Sequence, residues 1–242
     1  FKEMFFEDEL FWTSFKVTFK FALIQVPVKL TVALLVAMVL ARATRVTSFY
    51  RAAFYIPSLM GGSVAIALLW KQLFSPKGVI NQILGFFGLP DDTAWLGNPK
   101  TALGTLIALG VWQFGSSMLI FLAAIKNIPS SYYEAAIVVG AGPVRRFFSI
   151  TLPLLTPIIF FNLINQVIGA FQAFNSSYLI TKGKPLNTTL YYGVHLYNKA
   201  FNQFERGYGS AMAWFMLLII AFFTALIFRS SSAWVYYESE GR

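Results

Sequence analysis

The 242-residue chain has no cysteine and one histidine, His195, which excludes disulfides, thiolate metal centres and multi-histidine metal clusters. It also has few charges: 12% of residues are Asp, Glu, Lys or Arg, against about 25% in soluble domains. The ten acids, Glu3, Glu7, Asp8, Glu9, Asp91, Asp92, Glu134, Glu205, Glu238 and Glu240, all fall outside the apolar runs. A proton- or sodium-coupled carrier usually keeps a carboxylate near the membrane midplane, so its absence counts against that class. No G-x-x-x-x-G-K-[ST] loop is present to cradle a nucleotide phosphate, and no nucleophile–base pair can be assembled around His195, which reads as a solvated loop residue. No catalytic residue and no metal ligand is therefore assigned. The net charge of +9 is scattered between apolar runs and forms no basic stripe or arm for nucleic acid.

What the chain has in abundance is apolar surface, with 57% hydrophobic and 18% aromatic residues. That composition predicts an all-α integral membrane protein forming one transmembrane domain over residues 1–242. Five runs are long enough to cross ~30 Å of hydrocarbon, at about 17–41, 52–74, 101–125, 154–180 and 209–228. Residues 1–16 read as an interfacial segment, Val79 to Phe87 as a short surface helix, and 181–208 as an outer loop. Lys29 sits near the middle of the first run, where a lysine marks either a functional site or a water-lined wall. The fourth run is the most polar: Asn162, Asn165 or Gln166, Gly169 and Gln172 follow a helical seam, and Asn175 lies just beyond. Such amides serve equally as interhelical hydrogen bonds or as neutral partners for hydroxyl groups. Phe174 and Tyr178 add flat apolar faces beside them.

Between the third and fourth runs lies KNIPSSYYEAAIVVGAGPVRRFFSITLPLLTP, from Lys126 to Pro157. Ser131 and Glu134 have capping-box spacing and predict a short helix. Gly140-Ala141-Gly142-Pro143 predicts its left-handed end and a second start. In the second short helix Val144, Phe147 and Phe148 share one face, opposite Arg145, Arg146 and Ser149. The pattern Glu134-Ala135-Ala136, three residues, Gly140, nine residues, Ile150, one residue, Leu152-Pro153 resembles the EAA loop of the membrane subunits of ABC importers. Val139 departs from it, since many relatives carry an aspartate before the glycine.

Arg51 through Pro57, Trp112 through Leu122, Ile168 through Phe174 and Tyr208-Gly209-Ser210-Ala211 further resemble the sugar-importing branch of these permeases, the maltose and glycerol-phosphate type. The resemblance implies a multi-pass subunit in a bacterial-type cytoplasmic (inner) membrane. Its cytoplasmic coupling segment, 126–153, would seat Glu134, Ala135, Ala136, Gly140, Val144, Phe147 and Phe148 on an ATPase subunit. It further implies a second, non-identical permease, two ATPase subunits carrying the ATP and Mg that this chain lacks, and an extracytoplasmic binding protein delivering a carbohydrate. The substrate path would draw on Asn162, Asn165, Gln166, Gln172, Phe174, Asn175, Tyr178 and Lys29. Membrane lipid would surround the bundle. Lysine and arginine counted together tie at eight on each side and do not orient the chain. Seven of eight arginines (42, 45, 51, 145, 146, 229, 242) nevertheless fall on the side of the coupling segment, which by arginine alone makes it cytoplasmic. Phe1 then lies outside, and a further span upstream is expected. Relatives carry Thr-x-Gly-Gly-Pro where this chain has Thr181-Lys182-Gly183-Lys184-Pro185. With Lys199, Arg206 and Lys29, these lysines suggest an acidic oligosaccharide as cargo. The rivals are an ABC permease for another solute such as a phosphorylated polyol, an ion-coupled carrier, and a non-transporting scaffold.

Overall fold

A computed structural model describes residues 1–42 and 47–236, all helical or looped. Arg45, Glu238, Glu240 and Arg242 lie outside the described residues. Twelve α-helices follow among those described: α1 Lys2–Phe6, α2 Glu9–Arg42, α3 Thr47–Leu59, α4 Val64–Leu73, α5 Val79–Phe86, α6 Ala102–Trp112, α7 Gly115–Asn127, α8 Ser130–Val138, α9 Pro143–Arg146, α10 Leu152–Phe171, α11 Tyr192–Tyr197 and α12 Arg206–Trp234.

The central element is α2, which packs along α7, α10 and α6. Its buried positions, Phe11, Ser14, Thr18, Phe21, Gln25, Leu30, Ala33, Ala37 and Leu40 among them, recur every three or four residues and draw one seam down the helix. Ala33 and Ala37 are fully buried, and their small size lets neighbouring helices approach closely. Pro27 is exposed on the opposite side and the helix runs through it unbroken. The outer faces stay apolar: Leu35 and Val39 on α2 and Trp214, Leu218 and Phe222 on α12 are all exposed, as a lipid-facing surface requires.

The five apolar runs fall on three long helices, Glu9–Arg42, Pro143–Phe171 and Arg206–Trp234, and on two bent pairs. α3 and α4 meet at 101°, and α6 and α7 at 42°. At the first bend Gly62 takes φ +80°, open to glycine at little cost, and the Ser63 side chain caps α4 by accepting from the Ile66 N–H at 3.3 Å. At the second, Gly115 lies so close to Phe54 and Tyr55 that a Cβ would stand 2.3 Å from the Phe54 carbonyl oxygen.

Several expectations need correction. The second short helix is not separate from the span after it, because α9 continues through a π-helical turn, Phe147–Thr151, into α10. The fourth run does not stay helical to residue 180: α10 stops at Phe171, and a π-helical turn, Ser177–Thr181, follows the break. Residues 1–16 are no loose interfacial segment. Met4 and Phe11 are fully buried, and Phe5 and Phe11 pack edge-on against Phe215 of α12. Residues 181–208 fold back as α11 and a π-helical turn, Asn198–Asn202, with Tyr191, Tyr192 and Val194 buried against the bundle. The loop before α6 is likewise built, around Asn81, which is buried and joins the Pro76 and Thr93 carbonyls to the Trp95 indole.

Candidate functional site

The three interruptions converge. Gly62 and Ser63 from the α3–α4 bend, Gln113 from the α6–α7 bend and Gln172 to Ser176 from the end of α10 line one cavity of about 330 Å³, closed on its fourth side by Phe21, Gln25 and Lys29 of α2. Broken helices expose backbone polar groups, which a membrane interior tolerates only where they face protein or a wet cavity. The convergence therefore marks an interior with the polar lining and the room to admit water and polar solutes.

Sequence-predicted residues are dispersed around this cavity. Gln166, Gln172, Phe174, Asn175 and Lys29 line it. Gln166 also donates to Ser117 Oγ at 3.1 Å, tying α10 to α7. Asn175 packs against Gly62, where an added Cβ would stand 2.8 Å from Nδ2. Asn162 and Asn165 are not among the lining residues: their amides donate to the Ile158 and Phe161 carbonyls of their own helix at 3.1 and 2.8 Å. Tyr178 stands behind Phe174, stacked on it at 4.8 Å, with Tyr197 edge-on behind both. Of the lysines and arginine assigned to the outer side, Lys182, Lys184, Lys199 and Arg206 do not line the cavity, and Lys199 pairs with Glu205 at 3.0 Å.

Gln25, Gln113 and Ser63 were not predicted. The two glutamines carry the same signal as the fourth run, an amide inside an apolar stretch, and could have been found by it. Gln25 is 5% exposed and its carbonyl oxygen has no hydrogen-bond partner. Gly110 opposite makes room for it, since a Cβ there would meet Gln25 Nε2 at 2.7 Å. Lys29, one turn further along α2, is half-buried and makes no hydrogen bond or ion pair among the described residues. Placing a lysine at such a depth costs about 2.5–3.5 kcal/mol on insertion scales.

At the far end of α2 stand the residues of the EAA pattern. Gly140 has φ +75°, its N–H donates to the Ile137 carbonyl at 2.9 Å, and the Ala141 N–H reaches the Ala136 carbonyl at 2.8 Å. That is the two-bond left-handed helix end expected from sequence. The capping box is not formed: α8 begins one residue earlier, at Ser130, after Pro129, with no side-chain cap. α8 buries no residue at all, and Glu134, Ala135, Val138 and Val139 are exposed, with Ala136 half-buried. Val144 and Phe148 are exposed beside them, and Phe147 is half-buried. Tyr133 holds the hairpin to the bundle through a 2.9 Å hydrogen bond with Thr151.

The opposite end is closed by a polar knot. His195 is buried, not solvated, and its Nε2 lies 2.8 Å from Asp8 Oδ2, to which the Tyr208 hydroxyl also donates. Burial works to raise the Asp8 carboxyl, but the hydrogen bond from Tyr208, then the hydrogen bond and charge of His195, outweigh it and hold Asp8 below its ordinary 3.8.

Residues 17–235 match the family described as "Binding-protein-dependent transport system inner membrane component". The chain is 55% identical over 242 residues to the probable ABC transporter permease protein YesP of Bacillus subtilis (strain 168), covering 99% of this chain and 78% of that protein. It is 33% identical over 230 residues to the lactose transport system permease protein LacF of Rhizobium radiobacter, covering 93% and 77%. Among solved structures, a chain of a bacterial alginate ABC transporter, in complex with an alginate pentasaccharide-bound periplasmic protein, shares the fold. The TM-score is 0.84 at 22% identity, over 93% of this chain and 80% of that one.

Proposed function

Because the chain belongs to the family of binding-protein-dependent transport system inner membrane components, we propose that it is the permease subunit of an ATP-driven importer whose cargo is a carbohydrate. It is a multi-pass inner-membrane protein and a transport component rather than an enzyme. The observation that carries the reading is the cavity at the three helix breaks. Its polar side chains are mostly neutral, Ser63, Gln113, Gln166, Gln172 and Asn175 with Gln25, while Phe21 and Phe174 offer apolar surface. Neutral donors and acceptors suit hydroxyl groups, and aromatic faces suit the apolar side of a sugar ring. The likeness to a lactose permease supports the same class of cargo.

An extracytoplasmic binding protein delivers the sugar to the end closed by Asp8 and His195. A second, non-identical permease completes the path, and lipid covers the remaining apolar face. Two ATPase subunits bind ATP and Mg and drive the cycle. One of them takes the hairpin of α8 and α9, with Ala135, Ala136, Val144, Phe147 and Phe148 in the contact and Glu134 at its edge. Because α9 runs through the Phe147–Thr151 turn into α10, a displacement of the hairpin passes along one helix to Gln166 and Gln172 at the cavity. Asn162 and Asn165 hold α10 on either side of this line and Tyr178 backs Phe174, so these three shape the path from outside it.

The test is to purify the protein from its native membrane in mild detergent and identify its companions, beside a Gly140→Pro variant. An ATPase subunit bound to the native chain and lost from a variant that still folds supports the reading. Absence of any ATPase, under conditions that keep other membrane complexes whole, overturns it.

A further inference from the structure

Among the described residues Lys29 is the one cation lining the cavity, and their ion pairs leave it without an acid. It stands twenty residues from Glu9 and thirteen from Arg42, about 30 and 20 Å along the α2 axis, so its four-carbon stem reaches neither end of the helix. A lysine kept for helix packing would be spent on a carbonyl or a carboxylate, yet its Nζ has no such partner among the described residues. Gln25, four residues before it and on the same wall, is 5% exposed and leaves a carbonyl oxygen unpaired. A buried acceptor without a donor is costly, and one lining a cavity is placed to accept from whatever enters it. The outer lysines do not compete for this role: Lys199 is held by Glu205, and Lys182 and Lys184 lie away from the cavity.

We propose that Lys29 and Gln25 form a subsite for an acidic sugar, Lys29 taking a carboxylate and the Gln25 carbonyl accepting from a neighbouring hydroxyl, so that the cargo is an oligosaccharide containing uronic acid. This rests on the reading of the chain as a carbohydrate permease and narrows it. A single cation among neutral amides balances a single negative charge, and the remaining amides serve the rest of the sugar as they would any neutral one. The charge also rejects competitors: a neutral sugar of the same size displaces water from Lys29 and gives it no counter-charge in return.

The complete transporter, held in lipid nanodiscs without its binding protein, is titrated with digalacturonate, with its dimethyl ester and with lactose. The native protein is expected to bind the acid at least tenfold more tightly than the ester. Lys29→Met should abolish that preference with little change in ester binding, Lys29→Arg should retain it, and Gln25→Leu should weaken both ligands several-fold. Thermal unfolding of the complete transporter and retention of its companion subunits on purification serve as the folding control for each variant. Equal affinity for acid and ester in the native protein, or a preference that survives Lys29→Met, overturns the subsite. So does a parallel loss of both ligands in Lys29→Met, the pattern of a lysine held by a carboxylate of the partner permease. Binding of lactose without digalacturonate overturns the subsite and leaves the carbohydrate reading standing. Failure to bind any of the three, with no ATP-driven sugar uptake, removes that reading and the subsite together.

Discussion

The two ends of α2 are finished in opposite ways. At Glu9 the helix begins inside a closed knot: Asp8 joins His195 and Tyr208, the Tyr192 N–H donates to Thr18 at 2.7 Å, and the Tyr192 hydroxyl donates to the Met212 carbonyl at 2.8 Å. At Arg42 the helix ends near a hairpin whose first helix buries nothing and shows Ile137, Val138, Val139, Val144 and Phe148 on its surface. One end satisfies its polar groups and buries its aromatics within the chain. The other leaves apolar surface exposed, the surface proposed above as the contact with an ATPase subunit. Between them sits a cavity whose walls are the places where helices break. On the proposed reading, the difference separates a part that stays shut on its own from a part that is moved from outside.

Gly140→Pro should break this contrast most severely. Proline cannot adopt φ +75°, so the turn joining α8 to α9 is lost while the bundle above it keeps its contacts. ATP-driven uptake should fall a hundredfold or more with the thermal transition of the bundle nearly unchanged. Thr18→Val acts at the other end, leaving the buried Tyr192 N–H without an acceptor at about 1–3 kcal/mol. Thermal unfolding in detergent should show the loss, and ATPase binding should not.

Asn175→Ala sits between the two. It removes an amide from the cavity wall without touching either end, and should raise the KM for the cargo by up to about tenfold, one hydrogen bond's net worth of 0.5–1.5 kcal/mol. Maximal ATP hydrolysis should stay within twofold. The smallest effect is the response of the knot to acid. Asp8 is held below 3.8 in the folded state, so its stabilising contribution is complete above that value and is lost as pH falls through the lower, folded pKa. A melting series from pH 6 to pH 2.5 should show that loss in the native protein and a flatter response in Asp8→Asn.

Much of this was legible in the residues. Hydropathy located the apolar runs because the seam of α2 and the lipid faces of α12 obey simple periodicity. The Gly140 turn was legible because only a left-handed residue lets that helix end as it does. What escaped was set by tertiary contact. Nothing local says that α6 and α7 bend at Gln113, where no proline stands. Gly115, just past the bend, lies against Phe54, 61 positions earlier. His195 looks like a solvated loop residue because its partner, Asp8, is 187 positions away. The amide seam was read on an ideal helix running to residue 180. With α10 ending at Phe171, Gln172 and Asn175 stand in the break, while Asn162 and Asn165 bond within their own helix. Ser131 and Glu134 had the right spacing for a capping box, but the helix already starts at Ser130, after Pro129, which leaves Ser131 inside it.

The most direct test of the account is ATP-driven uptake. The permease pair, ATPase subunits and binding protein are reconstituted in proteoliposomes, and entry of radiolabelled oligosaccharides, neutral and acidic, is followed with ATP supplied on the ATPase side. The account predicts accumulation that requires ATP, the binding protein and an intact Gly140, and that ion gradients do not replace. Accumulation driven by a proton or sodium gradient in the absence of ATP would contradict it.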